Sequence, residues 1–201
     1  MASLELAKSS TIDYYNDHAE EYFLNSKSTK LCRLYDTFLS FLPSGGLILD
    51  AGCGSGRDTK YFLSLGYKVI AIDASEEMVR LSSQFAGHKT IQMDFYDLDF
   101  EQQSFDGIWA LASLLHIPKK DIDNIIGNFS NILKTDGVFC MSFKEGTGER
   151  LEEGRFFNDY TESEFRTLIA KQSSLEIKDL WLGTDSLGRT QRWITALLRK
   201  I

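Results

Sequence analysis

Three glycines at alternate positions, Gly52, Gly54 and Gly56, follow an apolar run ending in Asp50, in the stretch "LILDAGCGSGRDTKYF". Where a strand passes into a helix, such a loop lets a ligand lie against bare backbone and lets the chain adopt positive φ without steric cost. A dinucleotide asks for G-x-G-x-x-G, with its pyrophosphate on the helix N-terminus. Here the third glycine comes one residue early, and the Asp50 carboxylate would repel phosphate. A ligand carrying an ammonium and a sulfonium, and no phosphate, reverses the sign of that interaction. Two further acids end apolar runs, Asp73 in "VIAIDAS" and Asp94 in "IQMDFYD". Their simplest role is to cap the helices that follow. His116, in "ASLLHIPK", follows a fourth apolar run, and histidine is the side chain best suited to general-base chemistry near neutral pH. Packing beneath the next helix is its plainer role.

These residues need a sheet edge to bring them together, and the pattern of the chain supplies one. The first forty residues read as two helices. Thr11 would cap the first, which carries Tyr14, Tyr15, Ala19 and Tyr22, and the second runs from about Thr29 to Phe41. From "GLILDA" to "GVFCMSF" strand-like and helix-like segments alternate, which implies crossover units and a mainly parallel sheet covered on both faces. The segment "KEGTGERLEEGRFFNDY" reads as a surface loop long enough for a lid, with a short strand at Arg155 to Phe157. Thr161 and Glu164 have capping-box spacing. "LEIKDLWL" and "QRWITALLRK" are joined by too short a turn for a parallel crossover, so the last strand is antiparallel. The expected fold is α/β: a single doubly wound, mostly parallel seven-stranded sheet with an antiparallel last strand, capped by N-terminal helices. At 201 residues one domain is expected, with a helical cap at 1–42, a ligand-binding core at 43–143 and an acceptor side at 144–201.

Taken together, Leu47 to Phe143 resembles the class I S-adenosylmethionine-dependent methyltransferases, small-molecule type, whose first motif is an acid followed by G-x-G-x-G. The resemblance implies S-adenosylmethionine as cofactor. It implies Asp50, Gly52, Cys53, Gly54, Gly56 and Arg57 at the amino-acid end, Asp73 at the ribose, Asp94 and Phe95 near adenine, and Ala74 and Met78 elsewhere along the cofactor. Ala110 and Leu111 would stand at the exit of the fourth strand. "ILKTDGVFC" is similar to the family's L-K-P-G-G entry to the fifth strand, with Thr135 and Asp136 departing from it. Methyl transfer from a sulfonium is an in-line displacement with a neutral leaving group, so alignment and exclusion of water dominate catalysis. His116 and Tyr14 are the expected catalytic residues, and Tyr15, Lys144, Arg189 and Arg192 the acceptor-binding ones. The cations suggest an anionic small molecule.

Composition narrows the alternatives. Twenty-nine acidic against twenty-two basic residues give a net charge of -7, which opposes nucleic acid and anionic membranes. "ALASLL" replaces the N/D-P-P-Y/F motif that base-amino methyltransferases carry after the fourth strand. RNA or protein acceptors, a non-catalytic cofactor-binding subunit and a nicotinamide oxidoreductase are the competing readings. The three cysteines have no metal-ligand or disulfide spacing. With no signal-like N-terminus and no apolar run near the roughly 20 residues of a membrane span, a cytoplasmic location is expected, with no metal and no membrane association. The expected state is monomer or homodimer, depending on whether Trp181 or Trp193 is exposed.

Overall fold

The computed structural model describes residues 2–29, 31–184 and 190–201. Arg189 lies outside these residues. The first helix, α1 (Ala2–Asp17), starts well before Thr11, so Thr11 is inside a helix and caps nothing. His18 breaks the run, its Nδ1 2.9 Å from the Tyr14 carbonyl, and α2 (Ala19–Ser26) resumes it. The next helix, α3 (Cys32–Leu39), is shorter at both ends than its periodicity suggests.

Then follow β1 (Leu47–Ala51), α4 (Arg57–Ser64), β2 (Lys68–Asp73), α5 (Glu76–Ala86), β3 (Thr90–Gln92) and β4 (Phe105–Ala110). After β4 come α6 (Lys119–Ile132), β5 (Leu133–Lys144), β6 (Glu149–Glu152), β7 (Arg155–Asn158), α7 (Glu162–Ala170), β8 (Leu175–Thr184) and β9 (Arg192–Lys200). The main sheet is ordered β3-β2-β1-β4-β5-β9-β8. Its first five strands pair in parallel, whereas β9 runs antiparallel to both β5 and β8. The expected seven-stranded sheet and its antiparallel last strand are both present.

Alternation along the strands builds two cores. Ile48, Trp109, Val138, Cys140 and Leu197 face α3 and α4, meeting Tyr35, Phe38 and Phe62. Their neighbours Leu49, Ile108, Ala110, Phe139, Met141 and Leu198 pack on the other face against Ile122, Ile125, Phe129 and Phe165 of α6 and α7. A sheet buried on both faces requires such continuous apolar runs. Chain order reverses between β1 and β4, and in an open α/β sheet the crevice beyond the carboxyl ends of those strands is where ligands bind. The capping box at α7 is as expected: Glu164 N donates to Thr161 Oγ1 at 3.2 Å, and Thr161 N to the Glu164 carboxylate at 2.9 Å.

Two departures bear on function. The short strand expected at Arg155 to Phe157 is present as β7, but the rest of the segment after β5 is not an open loop: β6 pairs with β7 in a hairpin. Its connection is Glu153-Gly154, both at positive φ (50° and 81°), the pattern of a two-residue turn whose twist matches its strands. In addition, β5 begins directly at the end of α6, pairs at Leu133 with Phe105, and shifts register before Val138. Asp136 occupies that irregularity at φ 65° and pairs with Arg199. Its departure from the family's glycine therefore places a non-glycine residue in the left-handed region. Among the described residues no helix is long and apolar enough to cross a membrane.

Candidate functional site

All three loop glycines have positive φ, at 73°, 52° and 73°. Their nearest neighbours belong to the chain itself. An added Cβ would stand 2.5 Å from Ser113 Cβ at Gly52, 3.2 Å from the Tyr22 ring at Gly54, and 2.9 Å from Ser82 Cβ at Gly56. The loop is fastened to the end of β2: the amides of Gly52 and Cys53 donate to the Ile72 carbonyl, and that of Gly54 donates to Asp73 Oδ2 at 2.9 Å. Close approach by Ser113 and Tyr22 is thus part of the answer to why side chains are missing here.

Asp50 is 2% exposed and accepts a hydrogen bond from Thr59 Oγ1 at 2.5 Å. Burial, and then the nearby Asp58 carboxylate, push its pKa up. It neither caps α4, whose N-cap is Gly56, nor lines either of the clefts described below. The expected acid at the ligand mouth is instead an internal support of the loop. Cys53 is buried, its thiol pushed up by burial, and also stays out of both clefts. Arg57 is held by Asp58 through Nε at 2.6 Å and Nη2 at 2.8 Å. Asp58 further accepts from Trp109 Nε1 at 2.8 Å and from the Tyr35 hydroxyl, tying α3, α4 and β4 together. Nothing in the spacing of the sequence singles out Asp58, because its partners come from three separate elements.

Beyond the strand ends lies a cleft of about 330 Å³, lined by Gly52, Gly54, Asp73, Ala74, Met78, Asp94 and Phe95 from the expected set. Gly56, Ala110 and Arg57 do not line it; Ala110 is fully buried, and Arg57 and Leu111 face the neighbouring cleft. Asp73 does not cap α5, since Ser75 does so through its hydroxyl. Each Asp73 oxygen accepts one backbone amide, from Gly54 and from Ser75, which leaves lone pairs for further donors. Asp94 does cap, receiving Tyr96 N at 3.0 Å, and lines the cleft as well. Phe95 is set edge-to-face on Phe129. Thr11, Ile12, Tyr15 and Tyr22 form the wall contributed by α1 and α2, and the buried Ser113 hydroxyl opposite has no hydrogen-bond partner.

A second cleft of about 570 Å³ adjoins the first, and Tyr15, Tyr22, Ala112 and His116 line both. His116 Nδ1 is 2.6 Å from the Phe156 carbonyl, which only accepts, so Nδ1 carries the proton. Nε2, 3.0 Å from the Tyr15 hydroxyl, must then accept from it in the neutral ring. Burial lowers the His116 pKa to about 4, and the charges of Arg155 and Lys144 act in the same direction. Burial pushes the Tyr15 phenol up. The pair is therefore neutral at pH 7.

Tyr15 rather than Tyr14 reaches the histidine. Tyr14 stacks on His18 at 4.2 Å and carries Arg155 over its ring at 4.3 Å, on the side of the second cleft. Lys144 lines that cleft, with its ammonium 3.6 Å above the Phe157 ring. Arg192 does not: its exposed side chain pairs with Glu145 at 2.7 Å. The residue that takes the place expected for Arg192 is Arg155, on the hairpin, which lines this cleft together with Trp181 and Trp193 of β8 and β9. The sequence placed Arg155 on a short strand, and the pairing of that strand with β6 brings it to the cleft.

The family described as "Methyltransferase domain" matches residues 48–137. An uncharacterized methyltransferase of Schizosaccharomyces pombe is 30% identical over 132 residues, which are 63% of this chain and 91% of that protein. A ubiquinone biosynthesis O-methyltransferase of Xanthomonas axonopodis pv. citri is 33% identical over 106 residues, 50% of this chain and 44% of that one. Among solved structures, the Burkholderia thailandensis 1,6-didemethyltoxoflavin-N1-methyltransferase, bound to 1,6-didemethyltoxoflavin and S-adenosylhomocysteine, superposes with a TM-score of 0.75. At 23% identity, covering 99% of this chain and 88% of that one, the likeness is one of fold.

Proposed function

Since this chain belongs to the class I S-adenosylmethionine-dependent methyltransferases, we propose that it methylates an oxygen, nitrogen or sulfur atom of a small molecule held in the larger cleft. The observation that carries this reading is the meeting of two clefts at one hydrogen-bonded pair, Tyr15 and His116. The smaller cleft fits the cofactor chemically. It presents Asp73, Asp94 and Asp121 against a single cation, Lys120, which suits a positively charged ligand. Asp73 has lone pairs left for ribose hydroxyls, the Ser113 hydroxyl is available to a polar group, and Met78 and Phe95 offer apolar faces to a base. When bound there, S-adenosylmethionine supplies a methyl group on a sulfonium that departs as a neutral thioether.

The chain's own contribution is alignment and dryness. Tyr15 and Tyr22, edge-to-face at 5.2 Å, roof the junction and exclude water from it. Three contacts hold this roof: Phe156 N donates to Thr11 Oγ1, Ser75 Oγ donates to Asn16 Oδ1, and Tyr15 donates to His116. On this reading the N-terminal helices of the cap (1–42) and the Lys144 to Tyr160 stretch of the acceptor side (144–201) enclose the acceptor over the core (43–143). The Phe156 carbonyl fixes the imidazole tautomer, so its Nε2 lone pair points at the junction through the Tyr15 hydroxyl. Free thiols at Cys32, Cys53 and Cys140 suit the reducing cytoplasm.

Calorimetric titration with S-adenosylmethionine, S-adenosylhomocysteine and NAD tests the reading. Both sulfur ligands are expected to bind and NAD to fail. Asp73→Ala should weaken the sulfur ligands by about tenfold or more, the cost of a charge-assisted hydrogen bond lost from a partly buried site. A folded wild type that binds neither sulfur ligand would defeat the assignment.

A further inference from the structure

The fourth strand leaves the sheet through an irregular turn. Ala112 stands at φ 53°, in the left-handed region that alanine adopts only at a cost. Its amide is held there by the buried Ser142 Oγ of β5, which accepts from it at 2.8 Å. The turn sends Ser113 back over the glycine loop: an added Cβ on Gly52 would lie 2.5 Å from Ser113 Cβ and 3.2 Å from its Oγ. Ser113 is 7% exposed, lines the smaller cleft, and has a hydroxyl without a hydrogen-bond partner.

Neither capping nor packing accounts for that hydroxyl. Ser113 precedes the short helical turn Leu114–His116, where a serine ordinarily caps, yet its side chain makes no cap bond. An alanine would fill the space over Gly52 equally well, without the free-energy cost of burying an unpaired polar atom. An unpaired buried hydroxyl next to a strained backbone residue is the combination expected where a ligand binds. The loop beneath does not supply the polar contact itself. The amides of Gly52 and Cys53 donate to the Ile72 carbonyl, that of Gly54 to Asp73, and that of Gly56 to the Cys53 carbonyl.

Ser113 lines the smaller cleft alone, whereas its neighbour Ala112 lines both. It therefore stands on the side where methyl donor and acceptor have to meet. The donor's sulfur carries a methyl group, which must face the larger cleft, a nucleoside, which Asp73, Met78 and Phe95 suit, and an amino-acid arm with a charged end. Of the polar side chains buried without a partner among the described residues, only Ser113 lines this cleft. Resting on the methyltransferase reading above, we propose that Ser113 is a cofactor-binding residue whose hydroxyl bonds the charged end of the amino-acid arm. Anchoring that arm restricts rotation about the sulfur and keeps its methyl group directed at the acceptor.

The test compares S-adenosylhomocysteine with 5′-methylthioadenosine, which keeps the nucleoside and sulfur but lacks the amino-acid arm. Affinities come from calorimetry, direct for the first ligand and by displacement for the second. Ser113→Ala should weaken S-adenosylhomocysteine by about tenfold, the loss of one hydrogen bond to a charged group, and methylthioadenosine by less than about twofold. Ser113→Cys fills the same space with a weak hydrogen-bonding group and should remain at least about threefold weaker than wild type. Urea unfolding of the ligand-free protein gives a second readout: Ser113→Ala should leave the midpoint unchanged or raise it, because the hydroxyl is unpaired there. The proposal is overturned by equal losses for both ligands, by no loss for S-adenosylhomocysteine, by full recovery in Ser113→Cys, or by a lowered midpoint in Ser113→Ala. Failure of the wild type to bind S-adenosylhomocysteine defeats the methyltransferase reading instead. A wild type and a Ser113→Ala variant that bind it equally well leave that reading intact and remove only the role of Ser113.

Discussion

Gly52 carries two constraints at once: φ of 73° and a neighbour, Ser113 Cβ, 2.5 Å from where its own Cβ would stand. Gly66 carries only the first, with φ of 85° and open space around it. Gly66→Ala should cost about 1 kcal/mol, the penalty of a left-handed alanine. Gly52→Ala should cost about 3 kcal/mol, since Ser113 must be displaced too. Urea unfolding of the two variants measures the difference, and equal losses would refute the packing account. Ser113 was not visible as the partner of Gly52, since it lies 61 residues along the chain. Asp73 and Asp94 were legible because a strand end fixes both their position and their direction. Asp50 shows the limit of that inference: its position was right for the motif, but its carboxylate turns inward to Thr59.

Elements of regular period were the easiest to read. The five parallel strands and α4, α5 and α6 follow from alternating apolar segments, and α7 from its capping box. By contrast, α1 has little amphipathic contrast along its length; it is held by contacts with β7 and α5 that a local pattern does not contain. Of the β6–β7 hairpin only β7 was legible; β6 was obscured by its charge, with exposed Glu149, Glu152 and Glu153 around it, and by a length of only four residues. Its turn also departs from the usual chemistry, placing Glu153 at φ 50° where asparagine is preferred. Glu153→Asn should therefore raise stability by about 0.5–1 kcal/mol. Thermal unfolding checks this, with S-adenosylhomocysteine affinity expected to stay constant. No gain in stability would mean that the Glu153–Arg155 pair offsets the turn strain.

At the scale of the whole molecule, the junction of the clefts makes stability depend on pH. His116 titrates near 4 when folded and near 6.5 when unfolded, so between those values the unfolded chain binds more protons. Its contribution is complete above about pH 6.5 and is lost as pH falls toward 4, on the order of 1–2 kcal/mol for a ring that still borders two clefts. Asp50 and Asp73, whose folded pKa values are raised, contribute with the opposite sign, losing stability as pH rises through those values. The test is therefore a difference: denaturant unfolding of wild type and His116→Gln at pH 7, 5.5 and 4.5, with the wild type losing more on acidification. Parallel losses would show that the imidazole is not held neutral. The amino-acid sequence by itself determined the α/β class, the mostly parallel seven-stranded sheet with its antiparallel last strand, the family and the acids at the strand ends, because these depend on local period and on residues adjacent in the chain. Only the tertiary structure decided that Tyr15 rather than Tyr14 meets His116, that Arg155 rather than Arg192 enters the cleft, and that Asp58 joins three elements. Such contacts depend on how a helix, a hairpin and a sheet edge turn toward one another, and that is settled by packing over distances no local pattern records.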